Sequence, residues 1–159
     1  SMPKQKTFIV AEAGGHGMQI VDLTLLSNIT SSPQTIEADA LYTGWGNAHN
    51  IVINESTARA YGVGTNTFEG GLHILDISNP LEPIPIGGFS NDGYTHDAQV
   101  VSYTGPDTNY QGKEIAFCCD SWKTCRVPLI SDKMRYAFPL LFLRRMVSIS
   151  LNYRWPMTA

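Results

Sequence analysis

Short apolar runs separated by polar turns cover most of the chain up to residue 122. One stretch predicts four strands in succession: "HNIVI" (49–53), "RAYGVG" (59–64), "LHILDI" (72–77) and "IPIGGF" (84–89). The polar sequence "SNPLEP" separates the last two, because proline offers no N–H to a sheet and restricts the residue before it. Four short strands in roughly 50 residues are typical of one blade of a β-propeller.

Similar segments recur in the same order along the chain. They form three sets: "GMQIVDLT" (17–24) with "GLHILDIS" (71–78); "NAHNIVI" (47–53) with "YTHDAQV" (94–100); and "TFIVAEA" (7–13) with "RAYGVGT" (59–65) and "EIAFCCD" (114–120). A single twisted sheet cannot bury both of its faces, whereas stacked copies can. The sequence therefore predicts an all-β fold, a partial β-propeller of about two to three four-stranded blades over residues 1–122.

Two aspartates end equivalent apolar segments, Asp22 in "IVDLT" and Asp76 in "ILDIS". A carboxylate in this place can accept backbone N–H groups of the following turn. Both are therefore predicted to be structural and not catalytic. The Ser-, Thr- and Pro-rich segment 26–46 is predicted to be a surface insertion.

The composition excludes some partners. The formal net charge is −3, and no basic patch dominates the chain before Lys123, which argues against nucleic acid. The N-terminus shows no secretory signal. The most apolar stretch, "YAFPLLFL" (136–143), is too short to span a membrane and contains proline.

Three cysteines lie close together, Cys118, Cys119 and Cys125. Their odd number gives no complete disulfide framework, and neighbouring cysteines seldom bond to each other. They are too few for a four-ligand zinc site. We expect the three cysteines to be ordinary strand residues, and not metal ligands or redox groups.

Equivalent histidines carry the strongest candidate chemistry. His49 and His96 begin equivalent strands and are followed by Asn50 and Asp97. Inner strands of a propeller line its central channel, so the imidazoles could converge there and bind a divalent metal such as zinc. The alternative is that they bond to neighbouring backbone or to a shared water. Since successive strand residues point to opposite faces, His96 and Asp97 can share a ligand only if the strand begins after His96.

Other polar and aromatic residues allow two interpretations each. Trp45 and Tyr94, in the loops before the histidine strands, could form a sugar- or protein-binding rim or fill the blade junctions. His73, which alternates with apolar residues, is predicted to be a satisfied strand histidine. The sequence "TGPDTNYQGKE" (104–114) contains oxygen ligands that calcium could use, but a turn explains it more simply. The sequences "NIT" (28–30) and "NES" (54–56) match the N-glycosylation acceptor rule.

Four segments resemble the choice-of-anchor B family, whose LVIVD-type repeats are thought to form β-propellers. They are "AEAGGHGMQIVDLT" (11–24), "GNAHNIVINESTARAYGVGTNT" (46–67), "GGLHILDISNPLEP" (70–83) and "DGYTHDAQVVSYTGPDTNYQGKEI" (92–115). The resemblance covers about residues 7–122. It implies a secreted or cell-surface protein with no established enzymatic activity, and an extracellular or cell-surface location for this chain.

The chain departs from the family in two ways. Where members often carry cysteines, it has Phe68 and Gly88, and Val100 and Ala116. The segment 123–159 lacks the repeat pattern from Met134 onward, and Leu129 falls where the repeat would place aspartate. We interpret this divergent, atypical tail as an out-of-frame or misannotated exon product. The alternative is a genuine tail that forms an amphipathic helix or strands.

Two functions remain open from the sequence. The first is a non-catalytic propeller module that binds protein or glycan through its loops, with His49, Asn50, His96, Asp97, Trp45 and Tyr94 as the candidate binding residues. The second is a metal-dependent enzyme with His49 and His96 at its centre. The sequence favours the first, because it contains no nucleophile elbow and no zinc-binding helix motif.

Overall fold

The computed structural model describes residues 6–91, 93–119 and 129–130, the last two as backbone. Within these ranges the strands are β1 Lys6–Val10, β2 Met18–Asp22, β3 Ala40–Tyr42, β4 Asn50–Asn54, β5 Arg59–Val63, β6 Leu72–Asp76, β7 Ile84–Phe89, β8 Asp97–Ser102, β9 Glu114–Cys119 and β10 Leu129–Ile130. Two short 3₁₀ helices lie at Leu23–Asn28 and Phe68–Gly70. No helix of the described chain is long and apolar enough to cross a membrane.

The strands form three antiparallel sheets, each built from strands consecutive in sequence. Sheet I contains β1, β2 and β3, sheet II contains β4 to β7, and sheet III contains β8, β9 and β10. The all-β prediction is confirmed. Within the described residues each sheet is open, and none closes on itself.

Strand register relates the sheets to one another. Lys6 lies opposite Asp22 in sheet I, and Arg59 lies opposite Asp76 in sheet II. In sheet III, Ile115 is opposite Leu129. The Leu129 backbone therefore occupies the position of the two aspartates, as the sequence predicted. The register also corrects the alignment of the segments 7–13, 59–65 and 114–120 by one residue. The equivalent residues are Lys6, Arg59 and Ile115, whereas the sequence had aligned Thr7, Arg59 and Glu114.

Two apolar clusters hold the sheets together. The first lies between sheets I and II, and its buried members are Met18, Ile20, Tyr42, Trp45, Ala48, Ala60, Leu75 and Ile77. The second lies between sheets II and III, and its buried members are Tyr61, Val63, Leu72, Ile74, Val100, Ala116 and Cys118. Sheet II thus buries apolar side chains on both faces, because it has a neighbour on each side.

The outer faces of sheets I and III retain exposed apolar side chains. Phe8, Tyr61 and Phe117 occupy equivalent positions on β1, β5 and β9, as the register shows. Phe8 packs between sheets I and II, and Tyr61 is fully buried between sheets II and III. Phe117 is 40% exposed. On the outer face of sheet I, Leu41 is exposed as well.

The aspartates that end β2 and β6 are structural, as predicted. Asp22 Oδ1 accepts the Thr24 backbone N–H at 2.9 Å, and Asp76 Oδ1 accepts the Ser78 N–H at 2.8 Å. The Thr24 hydroxyl and N–H, with the Lys6 ammonium, lower the pKa of Asp22 to about 2. The Ser78 side chain and N–H lower the pKa of Asp76. Each carboxylate therefore fixes the turn that follows its strand.

The segment after β2 lies on the surface. All but a few of residues 26–39 are exposed, which agrees with the predicted insertion. Its end returns to the protein interior, because β3 pairs with β2 and Trp45 is buried. The predicted tail at 123–159, apart from the β10 backbone, lies outside the described residues.

Candidate functional site

The two predicted histidines meet at the ends of β4 and β8, which are neighbouring edge strands of sheets II and III. β4 lies beside β8, and His49 and His96 directly precede these strands. The His49 N–H donates to the Val63 carbonyl at 3.0 Å, and the His96 N–H donates to the Cys119 carbonyl at 2.9 Å. The two ring centroids are 3.9 Å apart, with planes tilted by 47°. Equivalent backbone anchoring on two neighbouring sheets therefore brings the imidazoles into contact.

Asn50 and Asp97 join the same surface. The Asn50 Nδ2 donates to Asp97 Oδ1 at 3.0 Å, which links the first residue of β4 to the first residue of β8. His96 precedes the first strand residue, so the strict alternation of strand faces does not yet separate it from Asp97. The structure thus brings four of the predicted residues together.

Glu12 completes the polar group, and the sequence did not identify it. Its carboxylate hydrogen-bonds Nδ1 of His49. The Ala48 N–H donates to the Ala11 carbonyl at 2.9 Å, and this contact places the end of β1 beside His49. The contact arises from packing of sheet I against sheet II, which no local sequence pattern reports.

Tyr94 borders the histidines and remains 41% exposed. Its ring centroid lies 6.4 Å from that of His49, at an interplanar angle of 61°. Burial, with a contribution from the Glu12 charge, raises the pKa of its hydroxyl. Tyr94 is therefore a neutral aromatic side chain with an exposed surface, as a binding rim requires.

Two glycines support Tyr94 from below. Gly64 has φ +59°, and a Cβ there would lie 2.6 Å from the His49 Cβ and 2.8 Å from the Tyr94 hydroxyl. Gly70 has φ +80°, and its Cβ would lie 2.7 Å from the Tyr94 ring. The Gly70 carbonyl accepts N–H groups from Gly64 and Thr95, which joins the two loops. Any side chain at either glycine would displace Tyr94 or His49.

Trp45 is not part of this surface, and its assignment to a binding rim was wrong. The side chain is only 2% exposed. It makes edge contacts with Tyr42 at 5.0 Å and with His73 at 4.8 Å between ring centroids. Beneath it, a Cβ at Gly62 would lie 2.9 Å from the indole. Trp45 therefore fills the junction between sheets I and II, the other role that the sequence allowed.

His73 is a satisfied strand histidine, as predicted. It is buried in β6, with Nε2 3.0 Å from the Tyr42 hydroxyl and Nδ1 2.7 Å from the Thr67 hydroxyl. One ring nitrogen donates and the other accepts in the neutral form, so both hydroxyl contacts can be hydrogen bonds. Burial lowers the pKa of His73. His73 is therefore a neutral bridge between the sheets.

Glu114 is a buried carboxylate that joins two sheets. It is 2% exposed and accepts hydrogen bonds from Asn54, Thr57 and Arg59. Burial raises its pKa, but the hydrogen bonds from Thr57, Arg59 and Tyr61 outweigh that effect, so the net pKa is lowered. The charge of Glu114 links sheet III to sheet II.

The loop between β8 and β9 is a turn, as predicted. Asp107 Oδ1 accepts the Asn109 N–H at 3.0 Å, and Gln111 Nε2 donates to the Gly105 carbonyl at 3.2 Å. The Tyr110 N–H donates to the Asp107 carbonyl. These bonds fix the backbone of the loop as a series of turns.

The cysteines differ from expectation in one respect. Cys118 is buried in the apolar cluster between sheets II and III, as an ordinary strand cysteine. Cys119 is disulfide-bonded, and Cys125 lies outside the described residues. The expectation that all three would be ordinary strand cysteines is therefore wrong for Cys119.

The chemistry of the site is limited by its ligand set. Across residues 6–91 and 93–119, no group of three or more His, Cys, Asp or Glu side chains could hold a metal ion. What remains at the ends of β4 and β8 is an exposed surface of two imidazoles, a phenol, an amide and two carboxylates. Comparisons with protein-family models, with curated proteins and with solved structures found no match to this chain.

Proposed function

We propose that the chain is part of a β-propeller of the choice-of-anchor B type, and that it is a non-catalytic module that binds protein or glycan through its loops. The observation that carries the proposal is the surface cluster at the ends of β4 and β8, in which Tyr94, His96 and Asp97 are exposed and His49 and Asn50 are half-buried. Ligand-binding surfaces of propellers are built from such loops and strand ends, which a rigid scaffold holds in place.

The arrangement of the sheets supports the propeller. Equivalent strands β4 and β8 are neighbours, and equivalent residues Phe8 and Tyr61 each pack into the next junction. Phe117 is the third member of this series, and its exposure is what a blade with a missing neighbour would show. A further sheet on that face would bury it.

The positions at which this chain lacks the cysteines of the family are arranged as the resemblance would require. A Cβ at Gly88 would lie 2.5 Å from the Phe68 ring, so these two positions are neighbours. Val100 and Ala116 are direct cross-strand partners on β8 and β9. Val100 and Ala116 are therefore close enough in space for a cysteine pair, and the Phe68 side chain reaches Gly88. In this chain each pair is replaced by an apolar contact.

An extracellular or cell-surface location is part of the proposal. The resemblance implies it. Expression of the tagged native transcript product, followed by surface biotinylation and analysis of the medium, tests the location. Recovery only from a reducing compartment would contradict it.

Binding is tested with the purified chain on an array of glycans and an array of extracellular protein domains. The joint variant Tyr94→Ala/His96→Ala is expected to lose about tenfold or more in affinity for any ligand found, because exposed aromatic anchors dominate such surfaces. Gln99→Ala, an exposed change further along β8, is the matched control. Equal loss in both variants, or no ligand on either array, would argue against the proposal. His96→Ala alone tests the site if the joint variant folds poorly.

A metal-dependent enzyme is the second candidate, and the contact between the His49 and His96 rings favours it. The described ligand set does not fit a metal, since Nδ1 of His49 is bonded to Glu12 and no three His, Cys, Asp or Glu side chains of the described residues are placed to hold an ion together. Elemental analysis of the purified protein separates the candidates. Stoichiometric metal in the wild type that is lost in the joint variant His49→Ala/His96→Ala would favour the metal-dependent enzyme over the binding module.

A further inference from the structure

Two Asn-X-Ser/Thr sequences lie in different surroundings. They are Asn28-Ile29-Thr30, after β2, and Asn54-Glu55-Ser56, after β4. Such tripeptides are acceptors of N-linked oligosaccharide in secreted proteins, where they occupy surface loops. The sequence alone does not distinguish the two, but the structure does.

The first tripeptide is open to solvent. Asn28 is the last residue of the 3₁₀ helix Leu23–Asn28, and Ile29 after it is extended, with φ −70° and ψ 115°. All three residues of the tripeptide are exposed. The irregular segment that follows reaches as far as β3 at Ala40, and Asn28 lines an open surface pocket with Leu25 and residues 34–37 of this segment.

The second tripeptide is built into the junction of sheets II and III. Asn54 is buried, and its Nδ2 donates to Glu114 Oε1 at 2.5 Å and to Ser102 Oγ at 3.1 Å. Its Oδ1 accepts the hydroxyl of Ser56, the third residue of the same tripeptide, at 2.7 Å. Both amide hydrogens of Asn54 are thus used inside the fold. A sugar on Nδ2 would remove one of them and force the sheets apart.

We propose that Asn28 is a site of N-linked glycosylation and that the folded protein carries no glycan at Asn54. The Asn28 Nδ2 would form a bond to C1 of the first sugar of a lipid-pyrophosphate-linked oligosaccharide. The Nδ2 loses one proton, and the lipid pyrophosphate leaves with the bonding electrons, so no oxidant is needed. The inference depends on the proposed extracellular location for its occurrence in the native cell.

The experiment separates the site from the location. The full chain is expressed behind a cleavable secretory signal, and chains with the signal removed are selected, so that every chain analysed has entered the secretory lumen. Glycopeptides are mapped after enzymatic deglycosylation in heavy-oxygen water. Gln111→Thr creates a third acceptor at Asn109 in the exposed turn and reports glycosylation in the same chain.

The expected result is glycan at Asn28 in most chains, and glycan at Asn54 absent from the soluble monomer. Thr30→Ala should abolish the first glycan, whereas Thr30→Ser should retain it. Occupied Asn109 with unoccupied Asn28 would overturn the proposal, as would soluble monomer with glycan at Asn54. The occupancy of Asn28 is measured over all selected chains, whether or not they are folded. It therefore decides the proposal for Asn28 even if little soluble monomer forms. If Asn28 carries a glycan when the secretory signal is added but carries none in native cells, the proposed extracellular location is wrong and Asn28 is still an acceptor.

Discussion

The two junctions between sheets are similar in position and different in chemistry. Between sheets I and II, an aromatic group of Trp45, Tyr42 and His73 fills the space, and the buried polar contact there joins the neutral side chains of Tyr42 and His73. The Glu12 carboxylate bonds His49 only at the exposed edge of this junction. Between sheets II and III, an ion pair of buried Glu114 with half-buried Arg59 lies beside apolar side chains. The same arrangement of neighbouring sheets is thus held together by two unrelated sets of contacts. Stacked sheets require burial of a face, but they do not require one particular set of contacts to bury it.

The largest expected effect is loss of the indole in Trp45→Ala. Removing a fully buried aromatic side chain costs about 3–5 kcal/mol of unfolding free energy, since a cavity remains. Denaturant unfolding measures it. Leu41→Ala, an exposed change on the outer face of sheet I, should alter stability by less than about 0.5 kcal/mol and serves as the control. Similar costs in both variants would show that Trp45 does not fill the junction.

Glu114→Ala tests the second junction. Removing one partner of a buried ion pair costs about 3 kcal/mol or more, because the remaining polar groups lose their acceptor in a dry site. Glu114→Gln keeps an acceptor oxygen and should cost less than alanine does. Because the pKa of Glu114 is lowered in the fold, its contribution is present above the unfolded pKa of about 4.5 and is lost as pH falls through the folded value. Equal stability of alanine and glutamine variants would contradict a network role.

Gly64→Ala tests the base of the candidate site. A left-handed residue with a Cβ costs about 1–2 kcal/mol, and this Cβ would also collide with His49 and Tyr94. We therefore expect moderate destabilisation together with a change in Tyr94 fluorescence or proton chemical shifts. Gly112→Ala is the control, because it has φ +71° but no atom near its Cβ. It should show the backbone cost without the change at Tyr94.

The junctions should also differ in their response to mild acid. Burial lowers the pKa of His73, so the unfolded chain binds a proton more readily than the folded chain does. The contribution of neutral His73 to the free energy of unfolding is therefore fully present above the ordinary histidine pKa of about 6.5, and it decreases as the pH falls below that value. The melting temperature should drop between about pH 7 and about pH 5 in the wild type, and the drop should shrink in His73→Gln. An unchanged slope in that variant would assign the acid sensitivity to another histidine.

Local features could be predicted from the sequence, whereas contacts between sheets could not. The turns at Asp22 and Asp76 follow from hydrogen bonds two residues apart, which a short pattern encodes. The contact of His49 with His96 could be predicted because both residues occupy equivalent places in similar segments. The contact of Glu12 with His49 and the burial of Trp45 could not be decided from the sequence, since they depend on which sheet covers which face. The disulfide at Cys119 was missed because connectivity cannot be deduced from cysteine spacing alone.

The smallest expected effect on folding, and the sharpest contrast with the two junctions, comes from Phe117→Ser. Its equivalents Phe8 and Tyr61 are packed against a neighbouring sheet, but Phe117 is 40% exposed, so its loss should change the unfolding free energy by less than about 0.5 kcal/mol. Its exposed ring should nonetheless promote association, since open apolar sheet faces bind one another. Light scattering over a concentration series should show less self-association for Phe117→Ser than for wild type, and Thr108→Ser in the exposed turn should show no difference. A cost as large as that of Trp45→Ala would mean that this face is already covered, and the analogy between the three sheets would fail there.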